Sequence, residues 1–334
     1  MSHLLRPLTA GSLHLHNRLV LPPMATTKAD SDGSITPDLL AYYDEMSRGG
    51  AFGLVITEHC YISEQGCNRI GQPSVAEDRM VEGLSQLADV LHANGVKAVV
   101  QISHAGAASA VPGLDVVGPS DVPSPIGPGA IPRPMTREQI AGVVERFAAA
   151  ALRVKRAGFD GVELHAAHGY LLNQFFSPLT NRRDDEYGGD IAGRLRLPLQ
   201  VVAAVRAAVG EDYPVLLRLG ARDYLEGGTT VEDSIVAAVA LQRAGVDVLD
   251  ITGGLSGYVR PGHDEPGYFA ELTEPIRRAV SIPVILTGGV IEYQQAETLL
   301  AQGVADLIGV GRAMLKDPGW ARRAVEELAG ARPE

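Results

Sequence analysis

Cysteine is scarce: Cys60 and Cys67 are the only two in 334 residues, and both read as lying on one loop. That count excludes a disulfide framework and a four-thiolate iron–sulfur cluster, and a reducing, cytoplasmic setting is expected. Long apolar runs are missing too. No stretch reaches the roughly 18 residues of a membrane helix, and the N-terminal MSHLLRP lacks the apolar core of a secretory signal. Positive charge is in deficit, with 29 Lys and Arg against 40 Asp and Glu and a net charge of −11. This balance disfavours nucleic acid and anionic membranes. A small-molecule substrate is expected instead, handled by a homo-oligomer.

What remains is apolar and regularly punctuated. Hydrophobic residues make up 46% of the chain, enough for a large core. Short β-branched runs at 18–21, 53–57, 97–102, 161–165, 215–219, 248–252, 284–287 and 306–310 read as strands. Between them lie helical patterns, among them 37–48, 80–93, 231–244, 294–301 and a closing helix at 320–328. Thr36-Pro37 reads as a cap plus first helical residue, and Thr136 with Gln139 as a capping box. Near-continuous apolar strands suit a parallel sheet covered on both faces. The repeated phrases Arg156-Ala157-Gly158, Arg243-Ala244-Gly245 and Gln302-Gly303 each set a helix-stopping glycine before a strand. Fold class is therefore read as α/β, a single-domain (β/α)8 TIM barrel over 1–334. An open doubly wound sheet is the runner-up, but no Gly-x-Gly-x-x-Gly follows the first strand. The stretches 112–134 and 255–269 are expected to be active-site loops, and 166–193 a long polar loop.

In such a barrel the strand C-terminal ends build the site. There the sequence places Gln101, His165 with His168 and Tyr170, Arg218, Gly253-Gly254, Gly288-Gly289 and Gly311-Arg312. The glycines after strand seven, with Gly311-Arg312 after strand eight, match a phosphate site: backbone N–H groups approach an anion and Arg312 grips it. His165 and His168 point to opposite faces of a strand unless the chain turns between them, which Gly169 permits. Two imidazoles so placed suit a carbonyl or nitro oxygen. A metal site would draw on Glu163 as a third ligand; no metal is expected. Structural histidines bonded to nearby carbonyls are the other alternative.

The run His165-Ala166-Ala167-His168-Gly169-Tyr170 through Asn181-Arg182-Arg183-Asp184-Asp185-Glu186-Tyr187-Gly188-Gly189 resembles the signature of the old yellow enzyme family. Asn17-Arg18, Pro22-Pro23-Met24, Gln101-Ile102-Ser103-His104-Ala105-Gly106 and Gly309-Val310-Gly311-Arg312 agree in order, and the likeness covers nearly the whole chain. It is strongest to the bacterial branch of YqjM-like ene-reductases and the flavin domain of 2,4-dienoyl-CoA reductases. The resemblance implies noncovalent FMN, NADH or NADPH as electron donor, and reduction of activated C=C bonds in α,β-unsaturated carbonyl or nitro compounds. It implies that Pro23, Met24, Ala25, His59, Gln101, His165, Arg218, Gly254, Gly288, Gly289, Gly311 and Arg312 bind the flavin. By the same resemblance His165, His168, Tyr170 and Tyr268 meet the substrate, with Tyr170 as proton donor.

Three departures stand out. Ala25 has no polar atom where relatives carry Cys or Thr, and Thr26 or Thr27 is expected to compensate. His59 stands where a small residue is common; a local turn cap is its expected task, with a donor near the flavin or substrate as the alternative. The cluster cysteines and second nucleotide-binding domain of the enlarged relatives are expected to be absent. Alternatives are an oxidative member of the same family (amine demethylation or ketone desaturation), a tRNA dihydrouridine synthase, a metal-dependent barrel hydrolase and a non-catalytic flavin carrier. The tRNA enzyme would need a basic face, which the acidic total opposes.

Overall fold

The computed structural model describes residues 2–330. Eight parallel strands close into a barrel, each wrapped by helix on its outer side. In chain order they are β1 (Leu19–Leu21), β2 (Leu54–Tyr61), β3 (Lys97–Ser103), β4 (Gly161–Ala166), β5 (Val215–Gly220), β6 (Val248–Thr252), β7 (Val284–Thr287) and β8 (Leu307–Gly309). Neighbours in sequence are neighbours in space, and β1 pairs with β8 through Leu19↔Ile308 to close the ring. The outer helices are α1 (Pro37–Ser47), α2 (Val81–Ala93), α3 (Arg137–Arg156), α4 (Ile191–Val209), α5 (Val231–Ala244), α6 (Ala270–Ala279), α7 (Tyr293–Ala301) and α8 (Trp320–Gly330). Their starts follow the sequence cues. The Thr36 hydroxyl accepts from Leu39 N, and Thr136 and Gln139 form a reciprocal capping box.

The barrel interior is layered. Val20, Leu54, Ile56, Val99, Leu216, Val248, Ile285 and Leu307 form an apolar plug. A hairpin of Leu8–Ala10 and Leu13–Leu15, turning at Gly11, joins that cluster. Because side chains alternate along a strand, residues two further on share the inward face. Those are polar: Gln101, Glu163, Arg218 and Asp250, all buried. The change from apolar to polar along β3, β5 and β6 sets the chemistry at the C-terminal mouth.

The structure corrects several expectations. Segment 166–193 is not a solvated loop. It contains a helix, Leu171–Phe176, and its Asn173, Gln174, Ser177, Thr180 and Asn181 are buried. Their polar groups point inward onto main chain: Thr180 Oγ1 donates to Gln174 O, and Asn181 Nδ2 to Phe175 O and Tyr187 O. Helix α6 escapes sequence reading because Pro275 sits inside it and no side chain caps it. The hairpin and the short helix Arg312–Lys316 were likewise not anticipated. Cys60 lies inside β2 and is buried, not on a loop with Cys67. In 112–134, Val117–Gly118 pairs with Arg133–Pro134 and anchors the loop at both ends.

Candidate active site

The lowest polar layer is a buried charge network. Strand register sets Gln101 beside Glu163, His165 beside Arg218, and Arg218 beside Asp250. Gln101 Nε2 donates to Glu163 Oε1 at 2.7 Å, and Arg218 Nε lies 3.1 Å from Asp250 Oδ2. One guanidinium thus serves two carboxyls in a site closed to water. Burial first, then repulsion from Asp250, holds Glu163 well above the usual carboxylate range. Glu163 is therefore engaged with Gln101, which leaves the Gln101 carbonyl free to accept. Among the described residues no group of three His, Cys, Asp or Glu side chains is arranged to hold a metal.

Above this layer the chain turns as the His spacing demands. His168 and Gly169 adopt φ of 54° and 65°, two successive left-handed residues just past β4. For a histidine that conformation is uncommon and needs support. Gly169 N donates to Asn173 Oδ1 at 2.8 Å, and Gln174 Nε2 donates to Gly169 O at 2.6 Å. The turn brings the rings together: His165 and His168 are 5.0 Å apart edge to face, and His165 and Tyr170 4.8 Å. Ala167 N donates to His165 Nδ1 at 3.3 Å, so the His165 proton sits on Nε2. His168 Nε2 meets Thr252 Oγ1 at 3.0 Å; where that hydroxyl donates, the His168 proton sits on Nδ1. Burial depresses both imidazoles far below their ordinary range, so each is neutral and offers one N–H.

His59 is not a turn cap. The β2–β3 register shifts between Thr57 and Cys60, and this bulge re-aims His59 into the mouth. There its Nε2 lies 3.0 Å from the Tyr170 hydroxyl, and the two rings stack at 5.3 Å and 19°. Nor do the threonines compensate for Ala25. Thr26 donates through N and Oγ1 to Glu58, and Thr27 Oγ1 donates to Thr26 O.

A second corner forms where β7 and β8 end. A Cβ on Gly288 would lie 2.8 Å from the Tyr268 ring; Gly289, at φ 71°, faces the same ring and Glu265 O. Arg312 Nη2 donates to the Tyr268 hydroxyl at 3.1 Å, and that hydroxyl donates to Tyr258 O at 2.9 Å. Tyr268, expected at the substrate, thus belongs to the glycine–arginine corner, because Gly267 N is tied to Gly288 O. Gly254, expected at the cofactor, gives its N–H to Arg222 O at 2.8 Å and packs on Asp223. Met24 lies against Gly311 and, with Pro23, flanks this side of the mouth half-buried. The two loops reach the histidine turn: Ile126 covers Gly169, and Tyr258 stands 6.3 Å from His168 with 66% of its surface exposed.

As chemistry, the arrangement offers two donor sets. Gln101 and Arg218 suit the polar edge of a planar heterocycle, while Gly288, Gly289, Gly311 and Arg312 suit a phosphate. Between them stand two neutral imidazole donors and a phenol.

Comparison with known proteins identifies a family. A family model described as NADH:flavin oxidoreductase / NADH oxidase matches residues 3–330. An NADH oxidase of Thermoanaerobacter brockii is 41% identical over 95% of this chain and 50% of its own length. A metal reductase of Desulforamulus reducens is 41% identical over 97% of this chain and 49% of its own. The chain thus spans about half the length of these two relatives. It matches nearly the full length of an NADPH dehydrogenase of Listeria monocytogenes, at 39% identity over 98% of this chain and 96% of that one. Among solved structures, 2-naphthoyl-CoA reductase with 2-naphthoyl-CoA superposes with TM-score 0.91 at 29% identity, covering 97% of this chain and 52% of that one. Morphinone reductase with tetrahydroNAD superposes with TM-score 0.83 at 29% identity, covering 99% and 92%.

Proposed function

Because the chain belongs to the NADH:flavin oxidoreductase / NADH oxidase family, with FMN as cofactor and a reduced nicotinamide as electron donor, we propose that it reduces activated C=C bonds in α,β-unsaturated carbonyl or nitro compounds. The residues present fit FMN. Buried Gln101 and Arg218, at the floor of the mouth, suit a pyrimidinedione edge: with Nε2 given to Glu163, the Gln101 carbonyl is left to accept, and the Arg218 guanidinium brings a fixed positive charge beside it. Gly288, Gly289, Gly311 and Arg312 would hold the phosphate, with Pro23, Met24 and Ala25 along the ring edge. The chemistry FMN supplies is hydride transfer, from nicotinamide to the substrate β-carbon.

One observation carries the substrate reading: buried His165 and Tyr170 and half-buried His168 converge as neutral donors at the barrel mouth. A carbonyl or nitro oxygen between the imidazoles accepts both N–H groups. As charge develops there, fixed donors in a water-poor site stabilise it without reorganising. Tyr170 stays protonated, since burial pushes its phenol up to about 12, and gives its proton to the substrate α-carbon as general acid. The test is anaerobic rapid mixing. Purified protein should release FMN on acid precipitation, its flavin should bleach with NADH or NADPH, and cyclohexenone should then restore the oxidised spectrum. A flavin reduced by nicotinamide that enones and nitroalkenes leave reduced, while oxygen reoxidises it, overturns the proposal.

A further inference from the structure

We propose that His59 is a positioning residue for Tyr170: its Nε2–H holds the phenol oxygen so that the hydroxyl proton points at the substrate, and it stabilises the oxygen once that proton has left. The inference rests on the reading of Tyr170 as proton donor.

The geometry is direct. His59 Nε2 and the Tyr170 hydroxyl are 3.0 Å apart, their rings stack at 19°, and both side chains are buried. His165 packs edge-on against both rings, at 6.1 Å from His59 and 4.8 Å from Tyr170. The main chain is fixed as well, since Gln72 Nε2 donates to His59 O at 2.9 Å beside the β2 bulge. A phenol has one proton. If it points into His59, it is not available to a carbon; if His59 is the donor, it is. Burial above all, with Arg69 and Arg218 nearby, depresses His59 to about 4, so the ring is neutral and carries a single N–H. The same burial penalises a phenolate at Tyr170, which an N–H at hydrogen-bond distance offsets.

The proton step balances as follows. The enolate electron pair of the substrate forms the new C–H bond with the Tyr170 proton, and the carbonyl reforms under His165 and His168. The former O–H electrons stay on the phenol oxygen, held by His59 Nε2–H, which keeps its own proton. Water then returns a proton to Tyr170 as product leaves.

Two measurements test this. Nitrogen NMR of ring-labelled histidine, with the His59 signal assigned by its loss in His59→Gln, should find the proton on Nε2 in the substrate-free protein. In the FMN-loaded enzyme, single-turnover enone reduction should fall roughly 10- to 100-fold in His59→Leu, the value of one hydrogen bond to a charged oxygen. His59→Gln, which keeps an N–H near the same place, should recover most of that loss. Combined with Tyr170→Phe, neither change should lower the rate further. A proton on Nδ1, or a His59→Leu loss equally large in the Tyr170→Phe background, overturns this inference alone. Enone reduction undiminished in Tyr170→Phe overturns it together with the reading of Tyr170 as the acid.

Discussion

Arg312 begins a short helix and extends over the corner made by Gly288 and Gly289, where its side chain donates to the Tyr268 hydroxyl. Replacing it by Ala should weaken FMN retention by on the order of 2 kcal/mol, the worth of one charge-assisted contact. Ultrafiltration and flavin fluorescence measure this, and an unchanged dissociation constant would remove Arg312 from the phosphate site. His168 is tested with phenols, whose oxygen should sit between the imidazoles. His168→Ala should weaken phenol binding roughly tenfold, read from the perturbed flavin spectrum; equal binding in variant and wild type would move the oxygen site elsewhere. These residues were legible in the sequence because each stands at a strand end, where the barrel concentrates function. The His165–His168 convergence was legible through Gly169, though not that His168 itself turns left-handed. For His59 the sequence left two tasks open, a turn cap and a donor in the mouth, and could not choose the second, which the structure shows. A bulge inserts residues without leaving any mark in a run of apolar and polar letters, and it decides which way the ring points.

At the scale of elements, β7 and β8 leave no room for a side chain at Gly309. A Cβ on Gly309 would collide with Thr287 Oγ1, on the neighbour it pairs with. Thr287 Oγ1 also reaches Asp250 at 3.4 Å, so the strand cannot yield without disturbing the buried charges. Gly309→Ala should therefore cost about 1–3 kcal/mol, as overpacked cores do. A denaturant midpoint equal to wild type would show that the wall relaxes freely. Strands and capped helices were read from sequence to within a few residues, since apolar runs, Thr136 with Gln139, and glycine stops are local signals. The polar run after His165 misled because composition does not distinguish a solvated loop from a buried scaffold. Asn173, Gln174 and Asn181 are polar because they bond main chain in the interior. Tyr268 misled for a related reason: it shares a loop with Tyr258, yet the two face different corners.

The molecule as a whole buries titrating groups of both kinds, and their signs oppose. Burial holds His59 down to about 4 and His104 to about 3, and lowers His165 and His168, against an ordinary 6.5. Below 6.5 the unfolded chain takes up protons that the folded one refuses, so stability falls with falling pH. Burial raises Glu58 to about 7 and lifts Glu163 and Asp250 above their usual range. Here the folded state keeps protons that the unfolded chain releases, so stability falls with rising pH from about 4.5 upward. Between 4.5 and 6.5 the two trends offset, and a level stretch is expected. Below it the raised carboxyls no longer compensate, carboxylates held down by their partners, such as Asp78 and Asp185, add to the loss, and stability drops. Urea titrations across this range check the shape. His104→Asn, which keeps an acceptor for Gly106 N, should gain on wild type as pH falls from 6.5; parallel curves would sink the account. Ring closure has a further consequence, for the nascent chain. Leu19 finds its partner Ile308, and His3 N and Leu4 N find Glu297, only after some three hundred residues have left the ribosome. At about 5–20 residues per second, β1 waits roughly 15–60 seconds with one edge unpaired. Until β8 arrives, the growing sheet has two open edges and an uncovered apolar plug, so synthesis rate and chaperone supply should limit the yield of this protein more than the stability of its finished fold.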